Sequence, residues 1–363
     1  MTILPEDRLA RLEGSGSPLA RPLLAALSVA AGGYGAAVAA RGWLYRTGLW
    51  RAERLGRPVI SVGNIEAGGT GKTPLVIWLA ALLQRAGLRP AIISRGYKGA
   101  ASGAVNVVSD GARVLLPASE AGDEPHLMAR LLPGVPVLTG RRRSEPARAA
   151  LERFGAQVVL LDDGFQHLSL ARDLDLVVLG ESFRPGARLL PRGLLREPLS
   201  ALSRAHALVV ASQGAREAAR LLSQHFPGKA CLAARHEPVG LREVSGGRKA
   251  LCRELAGRPV VGFCAIGAPE RFRRTLERLG AQVVGFHAFP DHHRFRPQEL
   301  EALGVLAAGT GAWLVTTEKD AVRLEGIMQE GLALPAQVWA LGVRLVVDDE
   351  EALERLVLQA TAA

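Results

Sequence analysis

One glycine-rich segment, residues 61–74, constrains the fold of this chain more than any other feature. It reads SVGNIEAGGTGKTP. The apolar run at 58–62 predicts a buried strand before it, and the periodic apolar residues of 75–83 predict a helix after it. Glycines allow successive backbone N–H groups to converge on one phosphate, and the N-terminus of a helix favours an anion. The segment therefore predicts a phosphate-binding loop.

The end of this loop carries the residue types that contact a nucleotide. Lys72 is expected to reach the β- and γ-phosphates of ATP, and the Thr73 hydroxyl is expected to bind Mg²⁺. The usual pattern is G-x-x-x-x-G-K-[ST], and Glu66 stands at its first glycine. A glycine-rich turn with a surface lysine is the alternative, which the strand–loop–helix context disfavours. The candidate nucleotide-binding residues are Glu66, Ala67, Gly68, Gly69, Thr70, Gly71, Lys72 and Thr73.

Two adjacent acids, Asp162 and Asp163, follow the apolar run 158–161. Such a run predicts a strand buried on both faces, and ligands of open α/β sheets bind at the carboxyl ends of the strands. An acid in this place holds Mg²⁺ directly or through water in enzymes with a phosphate-binding loop. A pair of turn-forming acids is the alternative. The residues leave open which of the two carboxylates faces the metal.

Apolar runs recur along the rest of the chain and predict further strands. They lie at 90–94, 105–109, 136–138, 174–179 and 207–211, and again at 259–263, 282–286 and 313–316. Predicted helices include 125–132 and 269–279. The predicted fold class is α/β, a P-loop NTPase with a doubly wound, mostly parallel sheet flanked by helices. A second, smaller α/β domain and an N-terminal apolar helix complete it.

This pattern predicts three parts. Residues 1–56 form an N-terminal membrane-associated helical segment, 57–240 the phosphate-loop domain, and 241–363 a smaller C-terminal α/β domain. The stretch 236–258 is rich in glycine, arginine and glutamate with little periodicity, and we interpret it as a linker.

The N-terminal segment predicts contact with a membrane surface. Residues 22–40 contain no charged residue, and residues 41–54 interleave tryptophan, tyrosine and leucine with arginine. Arginines among aromatic residues are typical of a helix that lies against anionic headgroups. A true span and an alanine-rich helix packed on the domain are the alternatives. A cleaved signal is disfavoured, because the acidic residues Glu6, Asp7 and Glu13 lie where the n-region of a signal peptide is basic.

Charge and cysteine content bound the partners and the compartment. The net charge is +10, and only five of the 45 basic residues are lysines. A basic chain suits an anionic partner, whether nucleic acid, an acidic membrane or a phosphorylated substrate. No stacking platform or base-reading motif supports specific nucleic-acid binding, and we infer no obligate protein partner. Three scattered cysteines suit neither a disulfide framework nor a zinc site, which indicates a reducing compartment.

Transfer of a phosphoryl group to an alcohol also needs a base near the acceptor hydroxyl. The candidates outside the metal pair are Asp123, Glu124 and the adjacent Asp291 and His292, because a carboxylate bonded to a histidine can act as a dyad. Taken singly, Asp123 is more often a helix cap, and His292 a surface histidine. Candidate phosphate-binding arginines are Arg141, Arg142, Arg143, Arg192 and Arg196, with plain surface solvation as the alternative.

Several separate blocks together resemble one family, the tetraacyldisaccharide 4'-kinases of lipid A biosynthesis. The blocks are the phosphate loop, SRGY at 94–97, GDEP at 122–125, DDGFQH at 162–167, GLLREP at 193–198, PDH at 290–292 and TEKDAV at 317–322. They follow the family's order over most of the chain. The family also lacks the first loop glycine, and Lys98 stands where a glycine is common in it.

The resemblance implies ATP-dependent phosphorylation of the 4'-hydroxyl of a tetraacylated disaccharide 1-phosphate, a lipid-linked substrate, at the cytoplasmic face of the inner membrane. It implies Lys72 on the nucleotide and Thr73, Asp162 and Gln166 at the metal. It also implies Asp123 with His292 as the base dyad, with Asp162, Asp163 and Lys72 among the catalytic residues. The site-lining positions it implies are Tyr97, Arg143, Arg196 and Glu197; Asn64, Glu124 and His167 are further candidates for lining the substrate site.

The alternative function is a partition-type or metallochaperone ATPase, which hydrolyses ATP to switch a protein dimer. Those proteins share the GGxGKT loop, but many carry an additional lysine before the two glycines. Ala67 occupies that position here, which disfavours a trans-acting lysine.

Overall fold

The structure of this chain is a computed structural model, and it describes residues 20–180, 183, 186–212, 214–334 and 336–362. The first 19 residues of the predicted N-terminal segment lie outside the described residues. The α-helices are α1 Ala20–Arg46, α2 Lys72–Arg85, α3 Ala118–Ala121, α4 Asp123–Leu131, α5 Ser144–Phe154, α6 Ala215–His225, α7 Pro269–Arg278, α8 Pro297–Thr310, α9 Glu318–Gln329 and α10 Glu350–Ala362. Short 3₁₀ turns are Leu199–Arg204 and Cys252–Leu255.

The strands follow the apolar runs of the sequence. They are β1 Val59–Gly63, β2 Pro90–Ser94, β3 Asn106–Ser109, β4 Val137–Thr139, β5 Val158–Asp162, β6 Leu174–Leu179, β7 Ala207–Val210, β8 Ala230–Glu243, β9 Lys249–Ala250, β10 Pro259–Cys264, β11 Gln282–Ala288, β12 Trp313–Thr317 and β13 Val338–Val347. The predicted strands are confirmed, and β2 and β6 have the predicted bounds. Runs of this kind are recognisable because both faces are buried; every residue of β1, β2, β5 and β6 is buried.

The described residues form two compact units that interleave along the chain. The first contains residues 20–72, 157–235 and 347–362, and the second contains 73–156 and 236–346, apart from the few residues not described. Both units are discontinuous in sequence. The functional division at residues 56 and 240 therefore stays a prediction.

Five parallel strand segments form the sheet of the first unit. Their order is β5, β1, β6, β7 and the first part of β8. The phosphate loop leaves β1 between its two neighbours, and the register places Val62 opposite Asp162. Because parallel strands end at the same edge of a sheet, the loop after β1 and the acids after β5 emerge side by side.

The second unit contains two groups of strands. In one, β2 is parallel to β4 and β3 is antiparallel to it. In the other, β11, β10, β12 and β13 are parallel neighbours. Two apolar clusters form the core around the second group, one centred on Phe263 and Phe295 and the other on Phe272 and Trp339. The predicted class, a mostly parallel sheet flanked by helices, is confirmed.

The stretch 236–258, interpreted as a linker, is instead largely regular structure. It contains the second part of β8, the short strand β9 and the 3₁₀ turn Cys252–Leu255. The periodicity is hidden because half-buried and buried positions of this strand carry charged side chains that form ion pairs. Arg242 pairs with Glu325 at 2.8 Å, and Glu243 pairs with Arg248 at 2.8 Å.

Helix α1 is long and apolar enough to cross a membrane, judged by length and composition alone. Only 6% of its most apolar window is buried inside the protein, which does not match an alanine-rich helix packed on the domain. Two side chains attach it to loops of the same unit. Tyr34 Oη donates to the backbone oxygen of Arg196 at 2.8 Å, and Arg41 Nη2 donates to that of Gln166 at 3.0 Å.

Candidate active site

The phosphate loop has the conformation that its glycines allow. Gly68 has φ 127° and Gly71 φ 89°, values that residues with a Cβ rarely adopt. No neighbouring atom lies within 4 Å of the place where a Cβ on Gly68 or Gly69 would sit. Helix α2 begins at Lys72, and its first N–H groups have no partner within the helix. The loop is therefore built as an anion site.

Hydrogen bonds from the neighbouring loops fix the shape of the phosphate loop. Asn64 Nδ2 donates to Thr70 Oγ1 at 3.0 Å, and Gln166 Nε2 donates to the backbone oxygen of Asn64 at 2.8 Å. The backbone N–H of Ala67 donates to Leu194 O at 2.8 Å. Asn64 Oδ1 is buried and accepts no hydrogen bond from the described residues. The Asn64 side chain thus donates to the loop through Nδ2 and keeps Oδ1 available as an acceptor.

Glu66, the residue in place of the first glycine, is almost completely buried. Its Oε2 accepts a hydrogen bond from the backbone N–H of Gly180 at 3.3 Å. A glutamate in this place therefore connects the loop to the end of β6. The loop is formed although the first glycine of the usual pattern is missing.

Asp163 links two cations at the loop. Lys72 Nζ lies 3.3 Å from its Oδ1, and Arg196 Nη1 donates to its Oδ2 at 2.9 Å. Burial would raise the pKa of Asp163, but these two charges lower it to about 2. Asp163 also has φ 52°, which is uncommon for a residue with a side chain and costs energy that functional sites often store. The carboxylate keeps Lys72 at the mouth of the loop.

Asp162 is buried at the end of β5. A carboxylate and a threonine hydroxyl are oxygen donors of the kind that Mg²⁺ prefers, and this ion commonly takes one or two protein ligands plus substrate phosphates. Within the described ranges, no group of three or more His, Cys, Asp and Glu is placed to hold a metal ion by itself. Asp162 is therefore an oxygen donor of the kind that suits Mg²⁺ bound together with a nucleotide rather than in an all-protein cage.

Two predicted residues of the first unit are engaged in local structure. Glu197 is buried and forms a two-point ion pair with Arg204, at 2.9 and 3.1 Å. Arg204 also lies over the ring of Phe165 at 4.5 Å. His167 Nε2 lies 3.1 Å from Ser169 Oγ. Glu197 and His167 thus brace the loop that follows the acidic pair.

In the second unit the structure brings Asp123 and His292 together, although 169 positions separate them. His292 Nδ1 lies 2.8 Å from Asp123 Oδ2, and Arg323 Nε donates to the same oxygen at 2.8 Å. Burial would raise the pKa of Asp123, but the bonds to His292 and Arg323 hold it below its usual range. Asp123 is the first residue of α4, where the helix dipole also favours an anion.

Lys319 lies on the other side of His292. Its Nζ is 3.3 Å from His292 Nε2, 3.0 Å from Glu124 Oε1 and 3.9 Å from Asp291 Oδ1. The ring of Tyr97 meets the His292 ring edge-on, with centroids 5.8 Å apart. Glu124, a candidate base, and Tyr97, a site-lining position that the resemblance implies, therefore lie around the dyad.

Two further observations concern the loops around this group. His292 has φ 64° and Lys98 has φ 61°, both in the left-handed region that favours glycine. That explains why a glycine suits the position of Lys98. Arg143 precedes α5, is buried, and donates to the backbone oxygens of Gly140 and Arg141 at 3.3 and 3.2 Å.

Comparison with known proteins identifies the family. The family model described as LpxK, tetraacyldisaccharide-1-P 4'-kinase, matches residues 23–362. The chain belongs to this family. A tetraacyldisaccharide 4'-kinase of Anaeromyxobacter dehalogenans (strain 2CP-C) is 50% identical over 338 residues, which are 91% of this chain and 86% of the relative. One of Syntrophus aciditrophicus (strain SB) is 45% identical over 341 residues, which are 90% of both chains.

A solved structure gives the same result. LpxK from Aquifex aeolicus, crystallised in complex with ATP, is 34% identical with a TM-score of 0.73, and the match covers 93% of this chain and 99% of that one. The expected family, the P-loop fold and a kinase with a hydroxyl acceptor are thereby confirmed. The switch ATPase is not favoured.

The sequence alone predicts no role for several residues around the phosphate loop and around the Asp123–His292 dyad. Arg323 was not singled out, and Lys319 was noted only within the TEKDAV block. Their four-residue spacing at the start of a helix was the available signal, because it places both side chains on one face. Tyr34 and Arg41 gave no signal of their contacts, since both donate to backbone oxygens that any residue could supply.

Proposed function

We propose that this chain transfers the γ-phosphate of ATP to the 4'-hydroxyl of a tetraacylated disaccharide 1-phosphate, a step of lipid A biosynthesis. One observation carries the proposal: a phosphate loop with Lys72 beside an acidic strand end, in a chain that belongs to the tetraacyldisaccharide-1-P 4'-kinase family.

The nucleotide side of the reaction uses the loop at 66–73. Its backbone N–H groups and Lys72 hold the β- and γ-phosphates, and transfer is favoured by positioning and charge stabilisation. Thr73 and Asp162 would hold Mg²⁺, with Gln166 nearby, and the ion would neutralise charge on the phosphates. When phosphate reaches Lys72, Asp163 retains Arg196 as a partner, so neither charge is left without one.

The acceptor side uses Asp123 as the base. The acceptor oxygen bonds to the γ-phosphorus as the bond to the β–γ bridging oxygen breaks, ADP leaves, and the hydroxyl proton passes to Asp123. Its lowered pKa makes Asp123 an anion at neutral pH, suited to orienting the hydroxyl and accepting its proton late. A loose transition state requires no stronger base. Of the remaining predicted residues, Asn64, Tyr97, Glu124, Arg143, His167, Arg196 and Glu197 line or brace the substrate sites.

The lipid character of the substrate agrees with α1. We infer that this helix associates with the cytoplasmic face of the inner membrane, its exposed apolar surface against acyl chains and its arginines at anionic headgroups. The segment 1–56 would then serve the membrane, 57–240 the nucleotide and 241–363 the remainder of the acceptor site.

The test is transfer of labelled γ-phosphate to a tetraacyldisaccharide 1-phosphate in detergent micelles. The expected result is labelled lipid with folded wild-type protein, and almost no ATP hydrolysis without acceptor. Folded protein that labels no lipid would refute the proposal. ATP hydrolysis at the same rate with and without the disaccharide would indicate a switch ATPase instead.

A further inference from the structure

Lys319 occupies a place in the second unit that the mechanism above does not use. It lies in the first turn of α9, whose cap is Thr317, a residue that accepts a hydrogen bond from the backbone N–H of Asp320. The side chain is 19% exposed, and its ammonium group meets Glu124, His292 and Asp291. Lys319 is also one of only five lysines in an arginine-rich chain. Lys319 therefore places a compact ammonium group in a chain whose cations are otherwise mostly the larger guanidinium groups of arginine.

The contacts on the two sides of His292 agree on one tautomer of the imidazole, and the acceptor-only carboxylate of Asp123 at Nδ1 sets it. An ammonium group has three donors and no acceptor. Nε2 of His292 lies 3.3 Å from Lys319 Nζ and can only accept from it, while Asp291 Oδ2, at 3.8 Å, is beyond hydrogen-bond distance. In a neutral imidazole the proton then resides on Nδ1, which donates it to Asp123 Oδ2 across 2.8 Å.

The two carboxylate oxygens of Asp123 differ in their hydrogen-bond partners. Oδ2 receives hydrogen bonds from His292 and from Arg323, whereas within the described part of the chain no such bond falls on Oδ1. Arg323 is itself held by Asp320 Oδ1 and by the backbone oxygen of Ala265. Oδ1 is therefore the oxygen left for a hydroxyl, while the lone pair of His292 Nε2 is already engaged.

We propose that Lys319 is a positioning residue: it donates to the Nε2 lone pair of His292, whose tautomer Asp123 sets, and so leaves proton acceptance to Asp123. The kinetic part of this inference rests on the proposed function, whereas the hydrogen bond at Nε2 is a property of the protein alone.

The test combines spectroscopy with kinetics. ¹⁵N NMR of the histidine rings at neutral pH, with the His292 signal identified by its absence in His292→Gln, reports which nitrogen carries the proton. Wild type is expected to show Nδ1–H and an unprotonated Nε2 whose signal is shifted upfield by the hydrogen bond from Lys319. Lys319→Met removes this donor but keeps the tautomer, because Asp123 still accepts at Nδ1, so the Nε2 signal moves downfield to that of a free imine nitrogen. Lys319→Arg keeps donors without an acceptor and retains the wild-type signal. The control is Lys249→Met, on an exposed side chain of β9, which leaves the ring unchanged.

In the transfer assay, Lys319→Met is expected to lower kcat by roughly 10- to 100-fold with little change in the KM for ATP, because the acceptor is misplaced rather than the nucleotide lost. Lys319→Arg should recover part of this loss. An Nε2–H ring in wild type overturns the proposal even if the variant does not fold. So does a Lys319→Met protein with the wild-type Nε2 signal, or one with a changed signal and wild-type kcat. An inactive wild type with the expected ring contradicts only the proposed function.

Discussion

Replacing Gly63 by alanine tests how the nucleotide side of the site is held together. Gly63 is the last residue of β1, and the backbone of Phe165, in the loop after the acidic pair, crosses directly over it. A Cβ on Gly63 would lie 2.4 Å from Phe165 Cβ and 2.7 Å from Phe165 N. Carbon atoms pack at about 3.5 Å, so the loop must move by roughly 1 Å.

Such overpacking in a core costs about 1–3 kcal/mol of unfolding free energy, and backbone contacts place Gly63→Ala at the upper end. In thermal unfolding of the protein without ligand, this corresponds to a midpoint about 4 °C lower. The displaced loop carries Asp163 and Gln166, which contact Lys72 and Asn64. We therefore expect weaker binding of a non-hydrolysable ATP analogue as well, measured by calorimetry.

The matched control is Gly309→Ala in α8. Gly309 is exposed and has no atom within 4 Å of a Cβ placed on it, so alanine should be neutral or stabilise the helix by up to about 1 kcal/mol. If Gly63→Ala unfolded at the wild-type temperature and bound the analogue with wild-type affinity, the close approach would not constrain the loop.

Three other outcomes follow from the same contacts. Asp123→Ala should lower kcat by about 100- to 10,000-fold while the KM for ATP changes little, and an unchanged kcat in steady-state transfer assays would remove Asp123 as the base. Since the pKa of Asp123 is held low, wild-type activity should be lost only as pH falls through that lowered value; Arg323→Met removes a neighbouring charge, so the acid limb of its kcat profile should lie at higher pH. ATP at 100 times its dissociation constant should add about 2.7 kcal/mol to the unfolding free energy. Lys72→Met should lose most of that gain in a thermal-shift titration, whereas Lys229→Met should keep it.

The elements around the nucleotide loop could be predicted from local sequence alone. β2 and β6 are short apolar runs with polar or turn residues at their ends, and both were predicted to the residue. The loop and the acids after β5 are adjacent because parallel strands end at one edge, a rule that needs no knowledge of distant contacts.

The dyad and its supports could not be predicted in this way. Asp123 and His292 are brought together by long-range packing, and their pairing came from the family resemblance and not from their spacing. The pattern of β8 is hidden because half-buried positions such as Arg242 carry charged side chains whose partners lie elsewhere in the sequence. β13, which was not predicted, is a mostly apolar strand of ten residues whose apolar run is interrupted by Gly342 and Arg344.

The attachment of α1 can be altered by mutation without changing the charged groups at the phosphate loop. Tyr34 and Arg41 bind main-chain oxygens, those of Arg196 and Gln166. Substituting the side chains of Arg196 or Gln166 leaves both anchor points in place, whereas Tyr34→Phe and Arg41→Ala loosen the helix and retain every charged group at the phosphate loop. The attachment of α1 and the chemistry can thus be varied independently in one chain, and a double mutant can reveal whether helix attachment and phosphoryl transfer are energetically coupled.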